Sequence, residues 1–430
     1  MTFKPITVAA AAALLAGGAW CAPAHAQQKL EIGHLADYSG ATSDVGVPYG
    51  QGVADALAYI NKHGGVGGKL PMAVETIDYG YQVPRSIAAY KKWASRNVVA
   101  IFGWGTADTE ALISFVTKDQ IPYISGSYAG ALTDPVGHAD KTEKPAPYNF
   151  FYGPSYSDAA RGLIQWAADD WKKKGKSGAP KYVHMGANHP YPNAPKAAGE
   201  DYAKELGFEV LPAIQFPLAP GDFTAQCLTL KQSGANYAYL GNTAGSNVSV
   251  LKACQTAGTD VQFLGNVWGM DENAAKAAGS AANGVAFPLR TGAIWGDNVP
   301  GMALVKDIAK QNDPSGANYR PIHYLAGVCT AYYMSEAIGN AAQKGKVTGP
   351  AIAQGFYVKK DWVPKGLEGV CRPSTWTAQD HRPTTEVEVY RVAVNGATEA
   401  PVNELMQKGV IKLEKATVIN LPRKPEWLGW

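Results

Sequence analysis

The sequence predicts an α/β protein built from two similar lobes, each with a parallel, doubly wound sheet. Three observations support this fold class. The 430 residues are 46% hydrophobic and 17% charged, a composition typical of a folded chain and not of a disordered one. Short apolar or β-branched runs alternate with stretches of helical periodicity, the pattern of βαβ units. This alternation stops at residues 134–152 and then resumes as though from the beginning.

The first half opens with a predicted strand at 30–35 and a predicted helix at 52–63. Val53, Leu57 and Ile60 share one face of this helix, and the glycine-rich run 64–68 ends it. The remaining elements predicted in this half are strands at 70–77, 98–102 and 121–125 and helices at 86–96 and 107–118.

The second half repeats the pattern, and a third stretch follows it. The tail 396–430 contains scattered apolar residues such as Leu405 and Leu413, which predicts that it packs on a lobe. The predicted strands are at 181–185, 209–216, 237–241, 262–264, 284–288 and 385–394, and the predicted helices at 158–173, 195–206, 223–233, 247–257 and 322–343.

Residues 1–26 are predicted to be a secretory signal peptide. Lys4 is the only charge before residue 29, an apolar run covers 6–20, and Ala24-His25-Ala26 is a small-x-small cleavage site. The run is shorter than the ~20 residues that a membrane span needs. Cys21 does not indicate a lipid anchor, because the bulky Trp20 precedes it. We therefore expect an exported protein that is cleaved after Ala26.

Four cysteines remain after the predicted cleavage: Cys227, Cys254, Cys329 and Cys371. An even number of cysteines in an exported chain predicts disulfides, with three possible connectivities. Sequential pairing, Cys227–Cys254 and Cys329–Cys371, is favoured because each bond then closes a modest loop within one half of the chain. No Cys-x-x-Cys pair is present, so the spacing of zinc and thioredoxin-like sites is missing.

The sequence offers little enzyme chemistry. The turn 64–70 imitates a phosphate-binding loop but lacks its Ser or Thr, and 153–157 resembles a nucleophile elbow without its final glycine. The histidines are scattered, so we predict no metal and no cofactor. A net charge of +3 over 430 residues does not indicate a surface that binds nucleic acid. A secreted α/β hydrolase using Ser155, His184 or His189 remains the alternative of another class.

Polar and aromatic residues follow two predicted strands of the first half. Gly103-Trp104-Gly105-Thr106 separates a strand from a helix, and Ser125-Gly126-Ser127-Tyr128 follows the next strand. Ligands of open parallel sheets bind outside the carboxyl ends of the strands. Free N–H groups at a helix start, with the Thr106 hydroxyl, suit a carboxylate. The structural alternatives are a simple helix cap at Thr106 and an ordinary turn at 125–128.

Several short motifs occur in a characteristic order along nearly the whole mature chain. They are Asp37-Tyr38-Ser39-Gly40, Tyr49-Gly50-Gln51-Gly52, the turn from Ile60-Asn61 to Gly68-Lys69-Leu70, Ile124-Ser125-Gly126-Ser127, Ala131-Leu132-Thr133, Asp222-Phe223-Thr224-Ala225-Gln226, Phe263-Leu264-Gly265 and Tyr324. Together they resemble the type I periplasmic solute-binding proteins of ABC transporters, specifically the branched-chain amino acid (leucine/isoleucine/valine-binding) family.

The resemblance implies a periplasmic receptor with two lobes joined by a three-crossing hinge. The crossings are expected near 151–154, 288–290 and 378–384. Lobe 1 would then comprise 27–152 and 289–380, and lobe 2 would comprise 153–288 and 381–395. Such a receptor catalyses no reaction, needs no cofactor and passes its ligand to a membrane permease. We expect it to be a monomer.

The resemblance also implies the ligand contacts, to which the aromatic residues of the same loops are added. They are Tyr49, Trp104, Thr106, Ser125, Ser127 and Tyr128 from the first lobe, and Tyr191, Asn242, Thr243, Val267 and Trp268 from the second.

Two departures from the family pattern bear on the ligand. Amino-acid binders of this family hold the ammonium group with a Thr in the serine-rich loop and a carboxylate after the Phe-Leu-Gly strand. The corresponding positions of this chain lie near Ala129 and Val267, whose side chains cannot accept a hydrogen bond. An enclosed ammonium without an acceptor would cost about 1–3 kcal/mol or more. We therefore predict a small apolar or aromatic carboxylate without an α-amine. The alternatives are a hydrophobic amino acid held by Asp271 or Glu272, and a neutral amide.

Overall fold

The structure, a computed structural model, describes residues 1–4 and 29–430 and consists of two α/β lobes. The predicted fold class is confirmed. The predicted signal peptide and its cleavage site after Ala26 fall almost entirely in residues 5–28, outside the described part of the chain.

A five-stranded parallel sheet with the order β2-β1-β3-β4-β5 forms the first lobe. The central strands β3 and β4 are buried throughout, as expected for a parallel sheet covered on both faces. Its elements in chain order are β1 Leu30–Ala36, α1 Ser43–Lys62, β2 Met72–Asp78, α2 Val83–Ala94, β3 Ala100–Phe102, α3 Thr106–Asp119, β4 Tyr123–Ser125 and β5 Asn149–Phe151.

The second lobe repeats this topology. Its parallel strands have the order β7/β8-β6-β9-β10-β11, with β7 and β8 pairing successive parts of β6. Its elements are α4 Tyr156–Lys173, β6 Lys181–Gly186, α5 Pro190–Asn193, α6 Lys196–Glu205, β7 Glu209–Val210, β8 Ile214–Gln215, α7 Thr224–Ser233, β9 Tyr237–Leu240, α8 Ala244–Thr256, β10 Gln262–Gly265, α9 Glu272–Ala278 and β11 Ala286–Leu289.

The chain passes between the two sheets after β5, after β11 and before its last two strands. After the second passage three helices pack on the first lobe, where the longest lies along α1. These helices are α10 Met302–Ala309, α11 Ile322–Gln343 and α12 Gly349–Phe356, and the last elements are β12 Glu386–Val394, α13 Val402–Gln407 and β13 Ile411–Asn420.

Helix α1 begins at Ser43, nine residues before the predicted start. Both Gly50 and Gly52 lie within this helix, and close packing requires glycine at position 52. A side chain at Gly52 would collide with the Tyr324 carbonyl of α11, and a side chain at Gly327 of α11 would collide with the Tyr49 carbonyl. The loss of intrinsic helix propensity is thus offset by close contact between two helices.

Other departures from the predicted elements concern short or late segments. The predicted loop 134–152 contains β5, and the single strand predicted at 209–216 is divided into β7 and β8. Helices α5, α9, α10, α12 and α13 and strand β13 were not predicted. Each is short or depends on partners that are distant in sequence, so local periodicity carries little signal for it.

The tail returns to both lobes. Strand β13 pairs antiparallel with β12 at the edge of the second sheet. The chain then runs back to the first lobe, where the Gly429 amide donates to the Thr133 hydroxyl over 2.8 Å. Across the described residues, no helix combines the length and the apolar character that crossing a membrane requires.

The structure has the sequential cysteine pairing. Cys227 of α7 is bonded to Cys254 of α8, and Cys329 of α11 is bonded to Cys371, which lies on the return toward β12. Each bond therefore lies within one lobe, and neither restrains the movement of one lobe relative to the other.

We predict that each disulfide stabilises its own lobe. Replacing Cys329 and Cys371 together by Ala should lower the free energy of unfolding by about 2–4 kcal/mol, because the bond closes a loop of 42 residues. Urea unfolding measures this change. Peptide mapping without reductant should recover a peptide containing Cys227 joined to one containing Cys254, and a peptide containing Cys329 joined to one containing Cys371. Free thiols at these positions in the oxidised protein would contradict the prediction.

Candidate functional site

The candidate site lies between the lobes, where the carboxyl ends of the two sheets face each other. In the first lobe, the loops after β1, β2, β3 and β4 reach it, and in the second lobe those after β6, β9 and β10. Both parallel sheets reverse their strand order next to these loops, which is where open α/β sheets bind ligands.

Trp268, after β10 of the second lobe, inserts its indole among aromatic rings of the first lobe. Its ring centroid lies 4.6 Å from that of Trp104, 5.4 Å from that of Tyr49 and 5.7 Å from that of Tyr128. The indole N–H donates to the Gly126 carbonyl over 3.2 Å and to the Tyr156 hydroxyl over 3.0 Å. Trp268 is only 2% exposed, so the cleft is closed over it.

A polar contact joins the lobes at the rim of the cleft. The Asp44 carboxylate in the first turn of α1 accepts a hydrogen bond of 2.5 Å from the Gly245 amide in the first turn of α8. One carboxylate thus lies at the amino ends of two helices from opposite lobes, where helix dipoles favour negative charge. A second contact pairs the rings of Tyr81 and His189, whose centroids are 5.3 Å apart.

A narrow cavity of about 10 Å³ remains between the closed lobes. This is far below the roughly 300–1,000 Å³ typical of pockets for drug-sized ligands. Its lining consists of Thr42, Tyr81, Trp104, Gly105, Thr106, Gly126, Tyr156, Tyr191, Thr243 and Trp268. Among the described residues that line it, none is Asp, Glu, Lys, Arg or His. The lining therefore offers hydroxyl groups, backbone amides and aromatic rings, but no full charge.

Five of the predicted contacts line this cavity: Trp104, Thr106, Tyr191, Thr243 and Trp268. Thr106 is the first residue of α3, so the helix presents its amino end to the cleft. The Ser127 hydroxyl donates to the Thr106 hydroxyl over 2.9 Å, which places Ser127 directly behind it. Tyr191 is fixed by its hydroxyl, which donates to Asn266 over 2.7 Å.

The other predicted contacts, besides Ser127, lie behind the lining. Tyr49 and Tyr128 pack against the Trp268 indole from the first lobe. The Ser125 hydroxyl donates to the Ser127 carbonyl, and the Asn242 side chain bonds the backbone of neighbouring loops. Val267 offers its carbonyl to the Arg290 side chain. All five support the cleft through packing or hydrogen bonds.

Sequence reasoning missed five lining residues: Thr42, Tyr81, Gly105, Gly126 and Tyr156. The last three lie within segments that the sequence analysis did consider, namely 103–106, 125–128 and the incomplete nucleophile elbow 153–157. Tyr81 has a left-handed backbone with φ of 57° and follows Gly80 with φ of 60°. A large residue held in that region often marks a functional position, but the sequence does not reveal the conformation.

Ionisable groups lie behind the lining instead of within it. Burial raises the pKa of Asp108, in the first turn of α3, to about 7, although the Tyr79 hydroxyl donates to this carboxyl over 2.7 Å. Burial likewise raises the pKa of Asp271 to about 6 and, together with repulsion from Asp271, that of Glu272 to about 8. Asp271 caps α9, and Glu272 bonds Tyr319 and the Ile322 amide.

The residues of the hydrolase alternative have structural roles. The Ser155 hydroxyl caps α4 by accepting from the Asp158 amide, His184 is buried in β6 beside Tyr239, and His189 caps the short α5. The described hydrogen bonds do not join Ser155 to either histidine. No cluster of three or more potential metal ligands occurs in the described residues.

This fold and cleft define a two-lobed solute-binding protein, and comparison with known sequences gives the family. Residues 29–398 match the periplasmic binding protein family, and the chain belongs to it. The resemblance to the type I solute-binding proteins of ABC transporters is therefore confirmed. The family consists of binding proteins and not of enzymes. A search of curated protein sequences found no match.

Solved structures of the same fold bind different ligands. A branched-chain amino acid ABC transporter protein from Thermus thermophilus with bound valine has a TM-score of 0.75 and 20% identity, over 92% of this chain and 97% of that one. A fatty acid ABC transporter substrate-binding protein from Thermomonospora curvata has a TM-score of 0.74 and 17% identity, over 91% and 92%. A solute-binding protein from R. palustris in complex with benzoate has a TM-score of 0.68 and 15% identity, over 85% and 93%.

We predict that Asp108 makes the protein less stable as the pH rises. Its folded pKa of about 7 exceeds the unfolded value near 4, so the stabilisation from its bound proton is complete below pH 4 and lost as pH passes 7. Between pH 5 and 8 this loss is about 2–3 kcal/mol. Unfolding of Asp108→Asn, which keeps an acceptor for Tyr79, should show a correspondingly shallower decline. Equal pH slopes in both proteins would contradict the assignment.

Proposed function

We propose that this protein is the periplasmic substrate-binding component of an ABC transporter and binds a small apolar or aromatic carboxylate without an α-amine. The ligand would be enclosed between the lobes and delivered to a membrane permease. Hinge closure around a ligand is the motion on which such receptors depend. The protein is proposed to act as a monomer, exported with removal of residues 1–26.

The observation that carries this proposal is the uncharged lining of the cleft. An ammonium group enclosed there would meet hydroxyls and rings but no carboxylate among the described lining residues. Asp271 and Glu272, the acceptors considered for an amino acid ligand, are already bound to Ala274, Tyr319 and the α11 backbone. The nearby Asp44 carboxylate is directed to Gly245 across the rim.

A carboxylate, by contrast, has suitable partners at one end of the cavity. Thr106 brings its hydroxyl and the amino end of the 14-residue helix α3, where unpaired N–H groups and the helix dipole favour an anion. Trp104, Tyr156, Tyr191 and Trp268 supply aromatic walls for the remainder of the ligand. A ring packed among them gains about 0.5–1.5 kcal/mol per well-placed pair beyond its burial.

The ligands of the structural relatives include both the proposed class, carboxylates without an amine, and the main alternative, an amino acid. Benzoate and fatty acids are carboxylates without an amine, whereas valine carries one. At 15–20% identity these relatives share the fold, so the chemistry of the lining must decide between the two classes.

A thermal-shift panel on refolded, ligand-free protein tests the proposal. Benzoate-like and cinnamate-like acids should raise the unfolding midpoint, since a ligand at 100 times its Kd adds about 2.7 kcal/mol of stability. Leucine and phenylalanine should give no shift, and simple amides should give a smaller shift than the acids of the same shape. Shifts with the amino acids alone would reject the proposed ligand class, and consumption of a bound acid would instead favour an enzyme.

We predict that Thr106→Val weakens binding of the carboxylate by about tenfold. The substitution keeps the size and shape of the side chain but removes a hydroxyl, which is worth roughly 1–1.5 kcal/mol in a hydrogen bond. Isothermal titration with the acid found in the panel measures the loss. Thr117→Val, near the other end of α3, is the matched control and should bind like the unaltered protein. Unchanged affinity in Thr106→Val would show that the Thr106 hydroxyl does not bond the ligand.

A further inference from the structure

Arg290 is a buried cation at the hinge, where the chain leaves β11 and passes back to the first lobe. It is 1% exposed, and its Cβ lies against Gly153, which belongs to the first passage between the lobes. A buried charge is costly unless other groups compensate it. The groups that surround Arg290 therefore indicate what its charge does.

The neighbours of this guanidinium are neutral acceptors and aromatic rings. It donates to the Val267 carbonyl over 2.5 Å and to Nδ1 of His323 over 2.7 Å. Burial, reinforced by Arg290 itself, lowers the pKa of His323 well below 6.5, so this imidazole is neutral. Its Nδ1 is an acceptor, so its proton is on Nε2, 3.4 Å from an Asp271 oxygen. Among the described ion pairs none includes Arg290, and its Nε has no hydrogen-bond partner.

The same guanidinium stacks on the residue that closes the cleft. Its central carbon lies 3.8 Å from the centroid of the Trp268 ring and 5.9 Å from that of Tyr128. Arg290 also holds the carbonyl of Val267, the residue before Trp268, and His323 contacts the indole with centroids 5.1 Å apart. The orientation of Trp268 is thus set from behind by a cation and its two hydrogen bonds.

We propose that Arg290 is a specificity-determining residue of the cleft: it positions the Trp268 indole and supplies the positive charge that favours an anionic ligand over a neutral ligand of the same shape. This inference rests on the proposed function, because it assumes a carboxylate ligand. The charge acts through a buried, low-dielectric region. The Asp271 carboxyl interacts with it through space from the far side of His323 but forms no ion pair with it among the described contacts, so the Arg290 charge is not fully compensated and its field reaches the uncharged cavity. A ligand carboxylate compensates the positive charge of Arg290 in the closed form.

The test compares benzoate with benzamide, which has nearly the same shape but no charge, by titration calorimetry. Arg290→Met should weaken benzoate binding at least tenfold more than benzamide binding, because both compounds lose the positioned indole but only benzoate also loses the charge. Arg290→Lys keeps the charge but loses the planar fork that bonds both Val267 and His323, so it should weaken both compounds about equally, by roughly threefold to fivefold. Arg372→Met is the control, since Arg372 is a buried hinge cation bonded to Glu386.

The outcomes separate this inference from the proposed function. Failure of the unaltered protein to bind any carboxylate would overturn the proposed function, and charge selection with it. Tight benzoate binding that survives Arg290→Met would overturn this inference alone, as would Arg290→Lys losing benzoate as completely as the Met variant. If the Met variant does not fold, Arg290→Lys and Trp268→Phe are combined in a double-mutant cycle. The free energies of unfolding of the two single variants and the double variant then measure the coupling between Arg290 and the indole. Additive effects on unfolding would show that Arg290 does not position the indole.

Discussion

The insertion of one indole from the second lobe into the aromatic face of the first organises the whole cleft. Trp268 contacts the rings of Tyr49, Trp104 and Tyr128 and bonds the Gly126 carbonyl and the Tyr156 hydroxyl. The small cavity, the closed arrangement of the lobes and the environment of Arg290 all follow from this contact. An indole suits the position because it combines a large apolar surface with a single directional donor.

The charged side chains near the cleft do not belong to the surface that would contact a ligand. The lining of the cleft is neutral, while Arg290, Asp108, Asp271 and Glu272 are buried outside the lining. In such an arrangement the lining residues determine which shapes and hydrogen-bonding groups fit. The buried charges determine the electric field that the ligand meets. Specificity for an anion can then arise without an ion pair in direct contact with it, a division that the sequence of the lining alone does not disclose.

The sequence predicted the repeating β and α elements well wherever a strand and its following helix are contiguous. The bounds of α11 match the prediction, because its 22 residues are largely apolar and contain no proline and no glycine-rich turn that would interrupt a helix. Prediction failed at the start of α1, whose Gly52 allows close contact with α11, and at β5 and β13, which exist only because a partner strand lies beside them. These are tertiary effects that local periodicity does not encode.

For the site, the sequence by itself determined which loops meet, since residues after parallel strands must gather at one edge of a sheet. This argument predicted Trp104 and Thr106, and the family resemblance predicted Tyr191, Thr243 and Trp268; all five line the cavity. Only the tertiary structure decided which side chains face the cavity and which turn behind it, as at Ser125 and Asn242, whose hydrogen bonds lie within their own lobe. It also brought Arg290 to Trp268, because a cation and an indole 22 positions apart become partners only when the hinge passes beside the cleft.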